Sequence, residues 1–139
     1  MPKWNTYTIA PLQLLGYFVA FQYGVFDYLL SVDITYFTLI IPALSVGCTI
    51  AVAVMCFLGK FPKTLRNQVE FITDHLTSLG LLGTMIGLWF AVKGGIPEPQ
   101  VLLVGVGTAL TTSIVGIAFT VLGNQVLLQL EEARAYAKK

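Results

Sequence analysis

The chain has 139 residues, 56% of them hydrophobic and 11% charged, with a formal net charge of +1. A soluble domain ordinarily carries about 25% charged residues, so this composition argues against a water-soluble domain and predicts an integral membrane protein. A near-zero net charge gives nucleic-acid binding no electrostatic support. One histidine and two cysteines build no metal cluster within one chain, and no nucleophile–base pair or nucleotide motif points to an enzyme or a cofactor.

All predicted elements are helical and form a single membrane domain over residues 1–139. Met1–Thr8 is a short polar leader carrying Lys3. It lacks an Ala-x-Ala-type cleavage site, so no removable signal peptide is expected. The first span is predicted at residues 9–30, interrupted by Gln13, Gln22 and Asp27, with Pro11 near its start, where proline is tolerated. Asp27 is expected near the far interface, because a carboxylate in mid-bilayer is costly. After a turn at Ser31-Val32-Asp33, residues 34–58 form a second span without a charge, kinked or locally adjusted at Pro42. Cys48 and Cys56 within it read as small buried side chains. Tyr28, Tyr36 and Phe37 fit an interfacial aromatic belt.

Residues 61–77 are the polar interior stretch. Phe61, Leu65, Val69, Ile72 and Leu76 recur at helical spacing, with Lys63, Arg66, Asn67, Glu70 and Asp74 on the other side. That pattern predicts a short amphipathic helix running into the third span, residues 77–93. This helix suits either a membrane surface or a docked partner. The turn Gly94–Pro99 follows, then a fourth span over residues 99–128 and a charged tail. Four spans place both termini on one side, together with Lys3, Lys60, Lys63, Arg66, Arg134, Lys138 and Lys139; only Lys93 lies opposite. By the positive-inside rule that side is cytoplasmic.

The third and fourth spans hold the candidate site. Thr77, Gly80, Thr84, Gly87 and Ala91 recur at spacings of three and four, with Gly83 beside them. Gly105, Ala109, Thr112, Gly116, Thr120 and Gly123 form a similar stripe, flanked by Ser113. Small faces let helices approach closely in lipid, and hydroxyls can bond across the gap. The pattern fits a packing seam. It also fits an ion path in which Thr84, Thr108, Thr111, Thr112 and Ser113 offer oxygens to a cation or to water. No Asp, Glu, Lys, Arg or His lies at mid-depth in either span. Proton coupling needs a titratable group within the membrane, so any such group would come from another chain.

At these residues the sequence resembles the MotA/TolQ/ExbB family of ion-channel subunits. Leu79-Gly80-Leu81-Leu82-Gly83-Thr84-Met85-Ile86-Gly87 is similar to the family pattern LGLLGTVxG. Leu103–Gly116 followed by Ile117 is similar to LAxGIxxALxTTxxGL. The likeness covers about residues 70–125. It implies a homopentamer in the bacterial inner membrane whose third and fourth spans surround a single-span partner of the ExbD, TolR or MotB kind. That partner carries a transmembrane Asp near which protons, or sodium ions, cross. It implies pore-lining roles for Thr84, Thr112, Ser113 and Thr108, and packing or partner-facing roles for Gly80, Gly83, Gly87, Ala109 and Gly116. Ser113 stands where the family usually has a second Thr, Thr108 where TolQ and ExbB relatives often carry Glu, and Leu122 where many members carry Pro. Residues 59–78 are far shorter than the cytoplasmic domain of flagellar stators. Two other classes fit the bare composition: a four-helix proton-coupled transporter using Asp27, and a holin-like lesion-forming protein.

Overall fold

Long apolar runs with few breakers dictate helices, and helices account for the chain almost throughout. The computed structural model describes residues 5–32, 36–60, 62–93 and 98–137. It contains α1 (Asn5–Gln22), α2 (Val25–Val32), α3 (Phe37–Leu58), α4 (Lys63–Val92) and α5 (Pro99–Ala137). Three helices are long and apolar enough to cross a membrane: Phe37–Leu58, Lys63–Val92 and Pro99–Ala135.

The first expected span is not one helix. The chain turns at Tyr23 and Gly24, where Gly24 adopts φ +67°, a conformation open to glycine without a Cβ clash. The Gly24 amide donates to the Phe21 carbonyl at 3.1 Å, and the Tyr28 amide starts α2 by donating to the Gly24 carbonyl at 3.0 Å. The apolar part of α1 is therefore only Thr8–Gln22. Pro11 also lies inside α1 rather than in its first turn, because the helix begins at Asn5.

The amphipathic stretch, residues 61–77, runs into the third span, residues 77–93, as its pattern predicts: from Lys63 to Val92 the two are one unbroken helix, α4. Nothing between Pro62 and Val92 can stop it: the interior has no proline, and its glycines lie under close packing. The charged tail likewise continues α5 to Ala137. Ser31 and Val32, expected in a turn, are instead the last residues of α2, and Asn5–Thr8 of the expected polar leader are the first residues of α1. Met1–Trp4, Asp33 and residues 94–97 of the Gly94–Pro99 turn lie outside the described residues.

α4 and α5 form an antiparallel pair with the most extensive contact in the molecule. The buried residues of α4 are Val69, Thr73, Leu76, Gly80, Gly83, Gly87 and Ala91. These alternate at spacings of four and three until a final step of four. On α5, Ala109, Gly116, Gly123 and Leu130 are buried at intervals of seven. A seven-residue repeat, held along α5 and along α4 as far as Gly87, is the geometry of a left-handed supercoil. The glycines set its closeness. A methyl group at Gly80 would stand 2.8 Å from the Thr112 carbonyl oxygen and 2.9 Å from the Gly116 Cα. One at Gly123 would stand 2.6 Å from the Thr73 hydroxyl oxygen.

α3 packs along one side of this pair. Cys48, Val52 and Cys56 meet Val69, Val126, Leu130 and Ala133, while Ile41 meets Leu76 and Val115. Gly59 ends α3 at φ +64°. There the Gly59 amide donates to the Cys56 carbonyl and the Lys60 amide to the Met55 carbonyl, satisfying two of the terminal carbonyls.

α1 is attached largely by polar groups. The Ala10 amide donates to Gln129 Oε1 at 2.7 Å. Gln13 Nε2 donates to the Leu122 carbonyl at 3.1 Å and to Gln125 Oε1 at 3.2 Å. Tyr17 bonds the Ser45 hydroxyl at 3.0 Å and stacks on Phe119 with 5.8 Å between ring centroids. In an apolar surrounding such bonds have no water to compete with them. They set the direction of α1: its early residues lie beside the late residues of α5, so the two ends of the described chain share one end of the bundle.

Candidate functional site

The site is built on the open side of the α4–α5 seam. Thr84 sits on α4 between the seam glycines and the exposed Leu81 and Leu88. Its hydroxyl lies 3.0 Å from the Gly80 carbonyl, 2.9 Å from the Ala109 carbonyl and 3.5 Å from the Thr112 hydroxyl, and it makes a short contact with the Ser113 hydroxyl. Seven residues along each helix, Thr77 and Thr120 repeat the arrangement with hydroxyls 2.8 Å apart. Leu110 and Ile117, which flank Ser113 on α5, are exposed. α3 packs on the other side of the seam, so this hydroxyl-bearing face is left uncovered by the other described helices.

The four expected pore-lining residues do not share one environment. Thr112 is fully buried beneath Gly83, where a methyl group on the glycine would come within 3.0 Å of its Cβ. Its hydroxyl donates within its own helix, to the Thr108 carbonyl at 3.0 Å or the Ala109 carbonyl at 3.1 Å. Thr108 is also fully buried, with its methyl against the Gly87 position. Five residues separate it from Ser113, about 140° around the helix at 3.6 residues per turn. Thr84 and Ser113 are half-buried and stand at the edge of the open face. Gly80, Gly83, Gly87, Ala109 and Gly116 are all buried in the seam.

The hydrogen-bond count fixes what the cluster can do. Each hydroxyl has one proton and two lone pairs. With the Thr84 and Thr112 protons directed to carbonyls, Ser113 is the donor to Thr84. The Ser113 oxygen then keeps both lone pairs, able to accept from a protonated acid or a water or to bind a cation. α4 carries no titratable side chain between His75 and Lys93, and α5 none between Glu98 and Glu131. Asp27 is exposed in the first turn of α2 and takes no part in the cluster. Among the described residues no group of His, Cys, Asp and Glu is arranged to hold a metal ion.

Residue spacing alone did not single out the Thr77–Thr120 pair as part of the site. The available signal was the offset of seven that carries Thr77 to Thr84 and Ser113 to Thr120. The glutamines that fasten α1 had no such signal, because their partners lie more than a hundred residues away.

At the two ends of α4 the chemistry changes. Lys93 lies over the Trp89 ring at 4.6 Å, an arrangement suited to an interfacial anchor. At the opposite end Arg66 bonds Glu131 through Nε at 2.9 Å and Nη2 at 2.8 Å, and pairs with Glu70 at 3.0 Å. The hydrogen bond to Glu131, followed by the charge of Glu70, pushes the Arg66 guanidinium above its ordinary value. Comparison with family models, curated proteins and solved structures gives no match.

Proposed function

We propose that this protein is the ion-conducting subunit of a membrane motor resembling the MotA/TolQ/ExbB type. In this reading several copies, five by the resemblance, surround a single-span partner carrying a membrane-embedded Asp. The observation that carries it is the hydroxyl face of α4 and α5 left open by the other described helices, where α4 has no carboxylate beyond Asp74 and α5 none before Glu131. A protonated partner Asp would donate to Ser113. The departing proton or sodium ion would be taken by the Ser113 oxygen and accompanying water. The ionised Asp, an acceptor only, would be solvated by water or by the Ser113 hydroxyl turned away from Thr84. Thr108 and Thr112 act in this reading by holding the seam, not by touching the ion.

Four crossings in the bacterial inner membrane, with α1 as a short first crossing, put both termini in the cytoplasm. This agrees with the shared end at which α1 begins and α5 finishes. Labelling of cysteines introduced at both termini, from the cytoplasmic side only, is the expected topology result.

The function is tested by co-expression with a single-span protein bearing a transmembrane Asp, where one is encoded beside this chain, purification of the complex and ion-flux measurement in vesicles. Thr84→Val and Ser113→Ala are expected to lower flux at least several-fold while the complex still purifies intact. Unchanged flux in both variants removes the ion path from this face. A monomer that captures no partner removes the motor reading altogether. The transporter reading makes the opposite prediction, that Asp27→Asn abolishes transport. The holin reading predicts lysis on expression without any partner.

A further inference from the structure

The charged end of the α4–α5 pair holds a groove of about 630 Å³, lined by Lys63, Arg66, Asn67, Glu131, Arg134 and Ala135. Its charges are not equivalent. Arg66 is committed to Glu131 and Glu70, a triad that keeps one negative charge, so with Lys63 and Arg134 the groove carries a net charge of about +1. Lys63 and Arg134 have no acidic partner within ion-pair distance among the described residues. The first turn of α4 adds donors. Pro62 occupies the N-cap position and makes no side-chain capping bond, so the early amides of a 30-residue helix, beside the groove residue Lys63, lack a side-chain acceptor. The surplus in this groove is therefore positive and rich in N–H donors.

One wall continues into apolar surface. Above Ala135, at steps of seven along α5, come Leu128, Val121 and Ile114, all exposed. Residues at that spacing stay on nearly the same side of a helix, so a single greasy track runs from the groove up the membrane-crossing part of α5. A soluble anion needs no such track, whereas a lipid uses both parts.

We infer that this groove binds the phosphate headgroup of an anionic phospholipid, with an acyl chain along Leu128 and Val121. The Lys63 ammonium, the Arg134 guanidinium and the α4 amides take the phosphate oxygens, and Asn67 offers a further donor. The Arg66–Glu131 pair is the fixed floor that holds the two walls together. This inference rests on the chain spanning a membrane, not on ion conduction.

The test uses the full chain purified in a neutral detergent. Phosphatidylglycerol, phosphatidylcholine or inorganic phosphate is added, with bound lipid counted by native mass spectrometry and the unfolding midpoint followed. The wild type is expected to retain phosphatidylglycerol in preference to phosphatidylcholine and to unfold at a higher temperature with it. The double substitution Lys63→Gln, Arg134→Gln is expected to weaken retention on the order of tenfold or more, as two interfacial cations would, with its lipid-free midpoint unchanged. Equal retention in wild type and double variant overturns the site. Stabilisation by inorganic phosphate to the same extent overturns the lipid and assigns the groove to a soluble phosphate. Neither outcome depends on ion flux, so this inference can fail while the proposed function stands, and the reverse.

Discussion

Glycine is used at Gly80 and Gly47 for different ends. At Gly80 the partner backbone fills the space where a side chain would go, with the Thr112 carbonyl oxygen 2.8 Å from the methyl position. Gly80→Ala must push α4 and α5 apart, and overpacking of this kind costs about 1–3 kcal/mol. At Gly47 nothing lies within 4 Å of the methyl position. Gly47→Ala should therefore leave the protomer as stable or gain up to about 1 kcal/mol from helix propensity. Unfolding midpoints in mild detergent separate the two: a clear fall for Gly80→Ala, no fall for Gly47→Ala. Gln129 illustrates the other way a single residue holds helices together. It is buried on α5 and accepts the Ala10 amide. Gln129→Leu leaves that amide without its acceptor, at a cost of about 1–3 kcal/mol. The expected result is faster hydrogen exchange around Ala10, with the Gly80 region of α4 unchanged.

At the scale of the helices, what the sequence makes legible depends on whether the physical cause is local. Close approach demands small residues wherever it occurs, so Gly80, Gly83, Gly87, Ala109 and Gly116 announce the seam before any partner is known. The side of the seam taken by each hydroxyl is a matter of register between α4 and α5. For that reason Thr112 and Thr108 could not be told from Thr84 and Ser113 by spacing. The break at Tyr23-Gly24 was hidden for a related reason: a lone glycine in an apolar run is compatible with a continuous membrane helix, and only its positive φ marks the turn. The join of the polar stretch to the third span leaves no mark because the heptad runs through it without a step. Arg66 and Glu131 close the far end of the pair. A guanidinium raised above its ordinary value contributes its stabilisation below that value and loses it only as pH rises through the raised one. Across working pH its contribution stays constant, while salt screens it, since the pair is substantially exposed. Arg66→Gln is accordingly expected to speed hydrogen exchange in the first turns of α4 and last turns of α5. The difference from wild type should narrow as salt is added and stay flat with alkaline pH.

Across the whole molecule, the arrangement is asymmetric. α1 and α3 cover one side of the α4–α5 pair, and the other side carries hydroxyls among exposed leucines and isoleucines. The two ends differ as well, one bearing Arg66, Glu131, Lys63 and Arg134, the other Trp89 and Lys93. These features are joined by α4, whose 30 residues reach about 45 Å at 1.5 Å per residue. Thr84 stands 18 residues beyond Arg66 along it, about 27 Å, with no proline or turn between them. A helix without a joint behaves as a stiff lever. In the proposed motor, a tilt or twist imposed on the hydroxyls by the partner would be carried along this unbroken helix to the charged end, and a load at that end would be felt at the hydroxyls.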